Sequence, residues 1–254
     1  MSQSLIALAL VARLNILRSD AKIGDILKFL LTSSGISNAS IHEALVDLLG
    51  KPISESSALV IPTAAYAYPP GAAIAYRLIH GVARSPLCEL GWKSLGVLEL
   101  TALPSIKKEY WVPLVQGIDA LLVGGGSPKY LCYWMRQSGL ADLMPSLRRE
   151  TVYVGVSGGS MVVAPTIGEY DDPTLPVGSD RMLGLVDFTI FPHLNRPEMP
   201  DTSLANVERW AAGLHIPAYG IDDQTAIKVT DGIAEVVSEG QWKRFAPNPD
   251  SPPA

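Results

Sequence analysis

Residues 151–160 read TVYVGVSGGS, an uncharged apolar run that passes directly into a glycine-rich turn. A run of this kind is typical of a strand whose two faces are both buried. The turn over Gly155–Gly159 fits G-x-S-x-G, the pattern in which a sharp strand-to-helix turn exposes a serine hydroxyl. Glycines permit that turn, because a Cβ at the flanks would clash with the neighbouring strand or helix. The segment therefore predicts an α/β sheet with Ser157 at the carboxyl end of a strand, the edge where such sheets bind ligands.

Similar apolar runs recur along the chain and alternate with segments of helical periodicity. The apolar runs are Ile26–Leu31, Ala58–Ile61, Leu95–Leu100, Ala120–Val123, Thr151–Val156, Leu185–Phe191, Ala218–Val229 and Ile233–Val237. The predicted helices are Asn38–Leu49, Ala72–Val82, a pair over roughly 128–149 broken near Gly139, and Leu204–Leu214. This alternation predicts βαβ units, a mainly parallel sheet with helices on both faces, and an antiparallel hairpin of the last two strands at one edge.

Composition excludes several functional classes. The 254 residues are 48% apolar and 18% charged, so the bulk of the chain is not disordered. The net charge is −5, and no basic cluster exceeds pairs such as Lys107-Lys108, so we expect no nucleic-acid partner. No apolar run approaches about 18 residues, so we expect no membrane partner. Scattered histidines and the lack of paired Cys or His spacings predict neither a metal site nor another cofactor.

The two ends of the chain differ from the segment between them. We predict an N-terminal extension over residues 1–24, a single catalytic α/β domain over 25–246, and a disordered Pro-rich tail over 247–254. No Lys or Arg precedes the short apolar run Leu5–Ala12. A secretory signal requires a basic region before its apolar run, so we do not interpret this run as a signal. Cys88 and Cys132 form no disulfide framework, which favours a reducing compartment and a cytoplasmic location.

A serine hydroxyl needs a base to act as a nucleophile, and histidine is the usual one. His193 closes the apolar run LVDFTIF at residues 185–191, followed by Pro192, and so lies at the predicted ligand-binding edge. His42, His80 and His215 are more simply interpreted as surface or helix-end residues. A carboxylate should orient the imidazole. The candidates are Glu169, Asp171 and Asp172 between serine and histidine, or Asp222 and Asp223 beyond them.

A second glycine-rich loop, Gly124–Gly126, follows the predicted strand Ala120–Val123. It fits neither a Walker A loop nor a dinucleotide fingerprint, since Lys129 stands where the third glycine of GxGxxG would fall. Two interpretations stay open. The loop is either a plain glycine turn, or its Gly126 amide faces the carbonyl attacked by Ser157. In the second case Gly126 would share the developing negative charge with the Gly158 amide.

Three motifs together resemble a known family. The stretches VGGGSPKYL (123–131), GVSGGSMVVAPTI (155–167) and FPHLN (191–195) look like the dipeptidase E (α-aspartyl dipeptidase) family of serine peptidases, to which cyanophycinase is related. The resemblance covers roughly residues 26–246. It implies a three-layer α/β/α sandwich with a flavodoxin-like, mainly parallel sheet, as in class I glutamine amidotransferases.

The resemblance also implies roles for residues. Ser157 would be the nucleophile and His193 the base. Asp172 would be the acid, since the family's acid lies about fifteen residues past the serine. Gly126 and Gly158 would be the oxyanion donors. The implied activity is serine-type exopeptidase hydrolysis of short peptides, with N-terminal Asp dipeptides as the family's substrates.

The sequence departs from the family's pattern around the substrate. Gly158 stands where alanine is usual, and Ser127-Pro128-Lys129 replaces Asn-Thr-Phe. The stretch after His193 also differs from the corresponding segment of the family's enzymes, which holds an arginine for the substrate aspartate. Arg196, Arg209 and Lys129 are therefore the candidate substrate-binding cations.

Two alternative functions stay open on the sequence, a non-catalytic small-molecule-binding protein of the same fold and an esterase-like α/β hydrolase. The hydrolase would share the order Ser…Asp…His, but only 36 residues separate Ser157 from His193. Either a monomer or a homodimer is compatible with the sequence.

Overall fold

A computed structural model of the chain describes residues 27–147, 150–170 and 180–251. The predicted extension over 1–24 lies outside these residues. The strands are β1 (Lys28–Thr32), β2 (Ser57–Ile61), β3 (Ser94–Val97), β4 (Ala120–Val123), β5 (Val152–Val156), β6 (Thr189–Phe191), β7 (Ala218–Ile221), β8 (Thr225–Thr230), β9 (Ile233–Ser238) and β10 (Trp242–Phe245). The α-helices are α1 (Ala39–Leu49), α2 (Gly71–Ile79), α3 (Lys108–Gly117), α4 (Pro128–Gln137), α5 (Leu140–Leu143), α6 (Gly158–Met161) and α7 (Leu204–Ala212).

The strands form two sheets. The larger has the order β3-β2-β4-β5-β1-β8-β9, in which β1 to β5 pair in parallel and β8 and β9 add an antiparallel hairpin. The smaller has the order β10-β7-β6, with β6 and β7 parallel. The predicted mainly parallel central sheet with helices is confirmed. Since parallel strands share one direction, β1, β4 and β5 end at the same edge of the larger sheet.

Alternate residues of the central strands enter two separate cores, as the period of two along a strand requires. In β5, Tyr153 belongs to one core, while Val152, Val154 and Val156 belong to the other. The first core also contains buried residues of α3 and α4, and the second contains those of α1 and α2. The central sheet is therefore covered by helices on both faces, which makes the fold an α/β sandwich.

The run Ala218–Val229, predicted as a single strand, divides into β7 and β8, which belong to different sheets. The division falls at residues 222–224. The Asp222 carboxylate accepts hydrogen bonds from the Gln224 amide (3.0 Å) and the Thr225 hydroxyl (2.7 Å), which holds the turn between the two strands. Three polar residues in succession end one strand and redirect the chain into the other sheet.

Two elements carry too weak a signal for sequence-based prediction. Helix α3 has Pro113 in its interior, although Trp111 and Val115 one turn apart are both buried. Strand β10 is short and mostly exposed, and it pairs antiparallel with β7. At the C-terminus, Asn248 hydrogen-bonds to the carbonyls of Leu214 and Ala212, so the order of the chain extends into the region predicted as a tail. No helix in the described ranges has the length and apolarity needed to cross a membrane.

Candidate active site

Ser157 lies at the sharp turn between β5 and α6. Its backbone has φ 50° and ψ −115°, a positive φ that is rare for a residue with a side chain. A Cβ on Gly158 would overlap the carbonyl oxygen of Gly126, and one on Gly155 would lie 2.7 Å from the Gly159 oxygen. The two glycines of the motif are therefore required by close backbone packing. The strained turn presents Ser157 at the carboxyl end of β5, as predicted.

The turn is attached to the end of β1. The Ser157 amide donates to the Thr32 carbonyl (3.0 Å), and the Thr32 hydroxyl donates to the Gly155 carbonyl (2.7 Å). The hydroxyl of Ser160, three residues further on in α6, donates to the same Thr32 carbonyl at 2.8 Å and is buried. The Ser160 side chain thus holds the turn in place, while the Ser157 side chain lies at the cavity described below.

His193 follows β6, and its ring reaches Ser157. The distance from His193 Nε2 to Ser157 Oγ is 2.9 Å, within hydrogen-bond reach for a nucleophile and its base. The His193 backbone also has a positive φ, 62°, and its amide donates to Ser33 Oγ at 2.8 Å. The structure therefore brings together the serine and histidine that the sequence analysis selected.

The carboxylate at the other ring nitrogen is that of Asp223. Its Oδ1 lies 2.6 Å from His193 Nδ1. Asp172, favoured by the family resemblance, and the neighbouring Asp171 lie outside the described residues, and Glu169 is exposed. Asp223 was one of the alternatives left open, and the signal that identifies it is the polar interruption of an apolar run at residues 222–224.

Asp223 is held by more than the imidazole. Ser33 Oγ donates to its Oδ1 at 2.9 Å, and Arg196 Nη1 lies 3.3 Å from its Oδ2. Burial of the Asp223 carboxylate by itself raises its pKa. The hydrogen bonds from His193 and Ser33 and the charges of His193 and Arg196 outweigh burial, so the net pKa lies below the usual value. Asp223 is therefore ionised at neutral pH.

The two predicted oxyanion donors lie next to the serine. Gly126 has φ 141°, and a Cβ there would overlap the Ala64 carbonyl, so only glycine fits this loop. Gly158 is the first residue of α6, where backbone amides have no partner within the helix. Among the described residues, neither the Gly126 nor the Gly158 amide donates to another group of the protein. Both amides are thus available to a ligand.

A cavity of about 640 Å³ opens beside Ser157 and His193. Of the three cations considered from sequence, Arg196 lines this cavity. Lys129 lies in the first turn of α4 and Arg209 on α7, and neither contributes to the described lining. The Arg209 side chain instead bonds to Asn206 on its own helix at 2.9 Å.

Two further arginines in the wall, Arg77 and Arg84, were missed from the sequence. They lie more than seventy residues before the serine motif, and no sequence pattern connects them with it. A second cavity of about 580 Å³ lies behind Asp223 and shares Arg84 and Arg196 with the first. In the described parts of the chain, no group of three or more His, Cys, Asp or Glu side chains is arranged to hold a metal ion.

Comparison with known proteins gives two relatives, each of which matches about half of the chain. A Peptidase E from Nostoc sp. is 28% identical over 131 residues, which cover 49% of this chain and 54% of the relative. A Peptidase E from Streptomyces coelicolor is 35% identical over 134 residues, which cover 50% of this chain and 55% of the relative. The matches thus span about half the length of these curated relatives.

Two solved structures share the fold over most of the chain. A protein from Listeria monocytogenes EGD-e, provisionally assigned as a Peptidase E, superposes with a TM-score of 0.60 at 19% identity, covering 85% of this chain and 100% of the other. A peptidase from an acI-B1 Actinobacterium gives a TM-score of 0.58 at 20% identity, covering 87% and 95%. At these identities the likeness establishes the fold alone.

The family model of Peptidase family S51 matches residues 29–237. This span contains the end of β1, the Gly124–Gly126 loop, Ser157, His193 and Asp223, so every part of the site described above falls within it. Since the match covers more than half of the chain, this protein belongs to Peptidase family S51.

Proposed function

We propose that this protein is a serine-type hydrolase that cleaves short peptides with Ser157, His193 and Asp223. One observation carries the proposal: two consecutive hydrogen bonds, of 2.9 Å and 2.6 Å, connect the serine hydroxyl through the imidazole to an ionised carboxylate. A serine on a strained turn, a histidine within reach and a carboxylate behind the histidine are the parts that nucleophilic acyl transfer requires. The match to Peptidase family S51 supports the same activity.

In the first half of the reaction, Ser157 Oγ attacks the peptide carbonyl carbon as His193 Nε2 takes its proton. The oxygen of the tetrahedral intermediate becomes negative and accepts hydrogen bonds from the Gly126 and Gly158 amides. These amides are fixed by the backbone, so they need little reorganisation as the charge develops. The C–N bond then breaks, and the proton on His193 passes to the leaving amine. The product of this half is an ester of Ser157.

In the second half, a water molecule loses a proton to His193 Nε2 and attacks the ester carbonyl. The second tetrahedral intermediate collapses, the acyl group leaves as a carboxylic acid, and the proton returns to Ser157 Oγ. Asp223 stays ionised throughout and accepts a hydrogen bond from the protonated Nδ1 of His193. It therefore fixes the tautomer that leaves Nε2 free to act as a base and stabilises the imidazolium that forms.

This assignment replaces Asp172 with Asp223 as the acid, because Asp223 supplies the carboxylate at His193 Nδ1. The order along the chain is then Ser157, His193, Asp223. An α/β hydrolase has the order Ser…Asp/Glu…His, so the order speaks against the esterase alternative. The aligned side chains, and the two amides that bond to no described residue, argue against a protein that only binds its ligand.

The substrate class is part of the proposal. A cavity of about 640 Å³ is in the range that small ligands occupy, which supports short peptides and an exopeptidase activity. N-terminal Asp dipeptides are the proposed first substrates. We also propose the class I glutamine amidotransferase-like arrangement for the fold. The free, buried thiols of Cys88 and Cys132 support a cytoplasmic location.

The test is hydrolysis of a dipeptide library, with and without an N-terminal Asp, by the wild-type protein and by Ser157→Ala. We expect wild type to hydrolyse part of the library, and Ser157→Ala to lose that hydrolysis with an unchanged circular dichroism spectrum. A fluorophosphonate should label wild type at Ser157, as located by mass spectrometry of the digested protein. Equal hydrolysis by both proteins would refute the role of Ser157.

A further inference from the structure

The active-site cavity has a charge opposite to that of the chain. The chain contains 25 acidic and 20 basic residues. The described lining of the cavity nevertheless includes Arg77, Arg84 and Arg196, and no Asp or Glu. Asp223 itself contacts His193 from the side of the second cavity. The space beside Ser157 is therefore suited to an anionic ligand.

Arg196 is already engaged by the protein. Its Nη1 lies 3.3 Å from Asp223 Oδ2, and its Nε lies 3.3 Å from Glu198 Oε2. Only about a fifth of its side chain is exposed. A guanidinium shared between two carboxylates has little capacity for a third, so Arg196 is a positioning residue for Asp223.

Arg77 and Arg84 are in a different situation. Arg77 lies in the last turn of α2 and is exposed, and its guanidinium makes no ion pair or hydrogen bond with any described residue. Arg84 lies in the loop that follows α2, also exposed. The charge of Arg84 contributes to lowering the pKa of Glu198, but Glu198 already pairs with Arg196. Both arginines therefore retain donors for a ligand.

The remaining wall of this cavity is largely apolar. Ile74 and Leu78 of α2 and the following Val82 line it, and the Gly125 backbone lies close to Ser157. A ligand that reaches both the Ser157 hydroxyl and these arginines therefore contacts an apolar wall and offers an anion to the guanidinium groups. A short peptide with one carboxylate at the correct distance has this chemistry, and the planar arginine fork matches a carboxylate with two parallel hydrogen bonds.

Building on the function proposed above, we propose that Arg77 and Arg84 form a carboxylate-binding subsite for the peptide substrate. The carboxylate can come from the side chain of an N-terminal Asp or from the C-terminus of a dipeptide. Both sources offer the same group to the arginines. Three peptides distinguish them: Asp-Leu has both carboxylates, Asn-Leu has only the C-terminal one, and Asp-Leu amide has only the side-chain one.

The experiment measures binding of these three peptides by titration calorimetry to Ser157→Ala, which cannot turn them over. We expect Asp-Leu to bind roughly 10-fold or more tightly than the one analogue that lacks the recognised carboxylate. Adding Arg77→Gln and Arg84→Gln to the same protein should remove this difference. Adding Arg209→Gln, which changes an exposed arginine outside the cavity, should leave it intact. Melting temperatures of all variants establish that the substitutions at exposed positions leave the fold stable.

Three results would overturn the subsite. The peptides could bind Ser157→Ala equally or not at all, the double variant could keep the difference, or Arg209→Gln could remove it. Failure of the proposed function is separate, because it appears as a lack of Ser157-dependent hydrolysis in the wild-type protein. Ser157-dependent hydrolysis of neutral and acidic peptides at equal rates, with equal binding, would retain the function and refute the subsite.

Discussion

Replacing Ser33 with alanine tests how the base and the acid are held together. Ser33 follows directly after β1 and is fully buried, with an exposed fraction of 0%. Its hydroxyl donates to Asp223 Oδ1 at 2.9 Å and accepts from the His193 amide at 2.8 Å. Alanine keeps the Cβ and removes both hydrogen bonds. The change therefore affects the orientation of two catalytic side chains without touching the reacting atoms.

The expected magnitude follows from the charge of Asp223. A hydrogen bond to a charged group contributes about 1.5–3 kcal/mol, and each 1.4 kcal/mol corresponds to about 10-fold in rate. We expect kcat to fall roughly 10- to 100-fold, since the His193 ring and Arg196 still hold the carboxylate. KM should change little, because Ser33 does not line the cavity beside Ser157. The His193 amide loses its acceptor, which should also lower the free energy of unfolding by about 1–3 kcal/mol.

The assay is steady-state hydrolysis of the best dipeptide, together with a urea unfolding curve for each variant. Ser37→Ala is the matched control, since the Ser37 hydroxyl donates to the backbone carbonyl of Asp223 at 2.6 Å rather than to its carboxylate. It should change kcat less than about 3-fold. If Ser33→Ala loses stability but keeps kcat within about 2-fold of wild type, Ser33 is only structural and the reasoning fails.

Three other outcomes are expected. Asp223→Asn should lower kcat by roughly 10⁴-fold, the loss seen when an amide fixes the wrong tautomer of a catalytic histidine, and a wild-type rate would move the acid elsewhere. Burial raises the pKa of Cys88 to about 12, so iodoacetamide should leave activity intact while a fluorophosphonate removes it, and thiol inactivation would contradict this. Burial alone raises the pKa of Asp119, but hydrogen bonds from Ser57 and the Lys51 ion pair lower it more. Ionised Asp119 therefore stabilises the fold above about pH 4 and loses this effect as the pH falls, so Asp119→Asn should flatten the loss of melting temperature below about pH 5.

The sequence predicts the central sheet well because its strands are covered on both faces. Such strands form uninterrupted apolar runs, and Ala120–Val123 coincides with β4 at both ends. Prediction fails where burial is one-sided or the pattern is broken. Helix α3 buries Trp111 and Val115 but contains a proline, and β10 is mostly exposed and depends on pairing with β7. Their formation depends on tertiary contacts that no local pattern encodes.

The site is predictable where backbone geometry requires particular residues. The nucleophile turn needs glycines, so Ser157 could be found from its neighbours, and His193 could be found from its place after an apolar run. The acid needs only a carboxylate at the correct point in space, which five residues of the chain could have supplied. Arg77 and Arg84 could likewise not be identified from the sequence, because their position in the same cavity as Ser157 arises from the packing of α2 against the sheet.

The arrangement of the two sheets explains why the acid is Asp223. Ser33 and Ser157 follow the ends of β1 and β5 in the larger sheet, whereas His193 and Asp223 follow the ends of β6 and β7 in the smaller one. The nucleophile and its base thus come from different sheets, and their 2.9 Å contact depends on how the sheets meet. Ser33 bonds from the larger sheet to both His193 and Asp223, so it fixes the smaller sheet's catalytic pair relative to Ser157. Asp223, at the turn into β8, thus both orients the imidazole of His193 and, through Ser33, connects the two sheets.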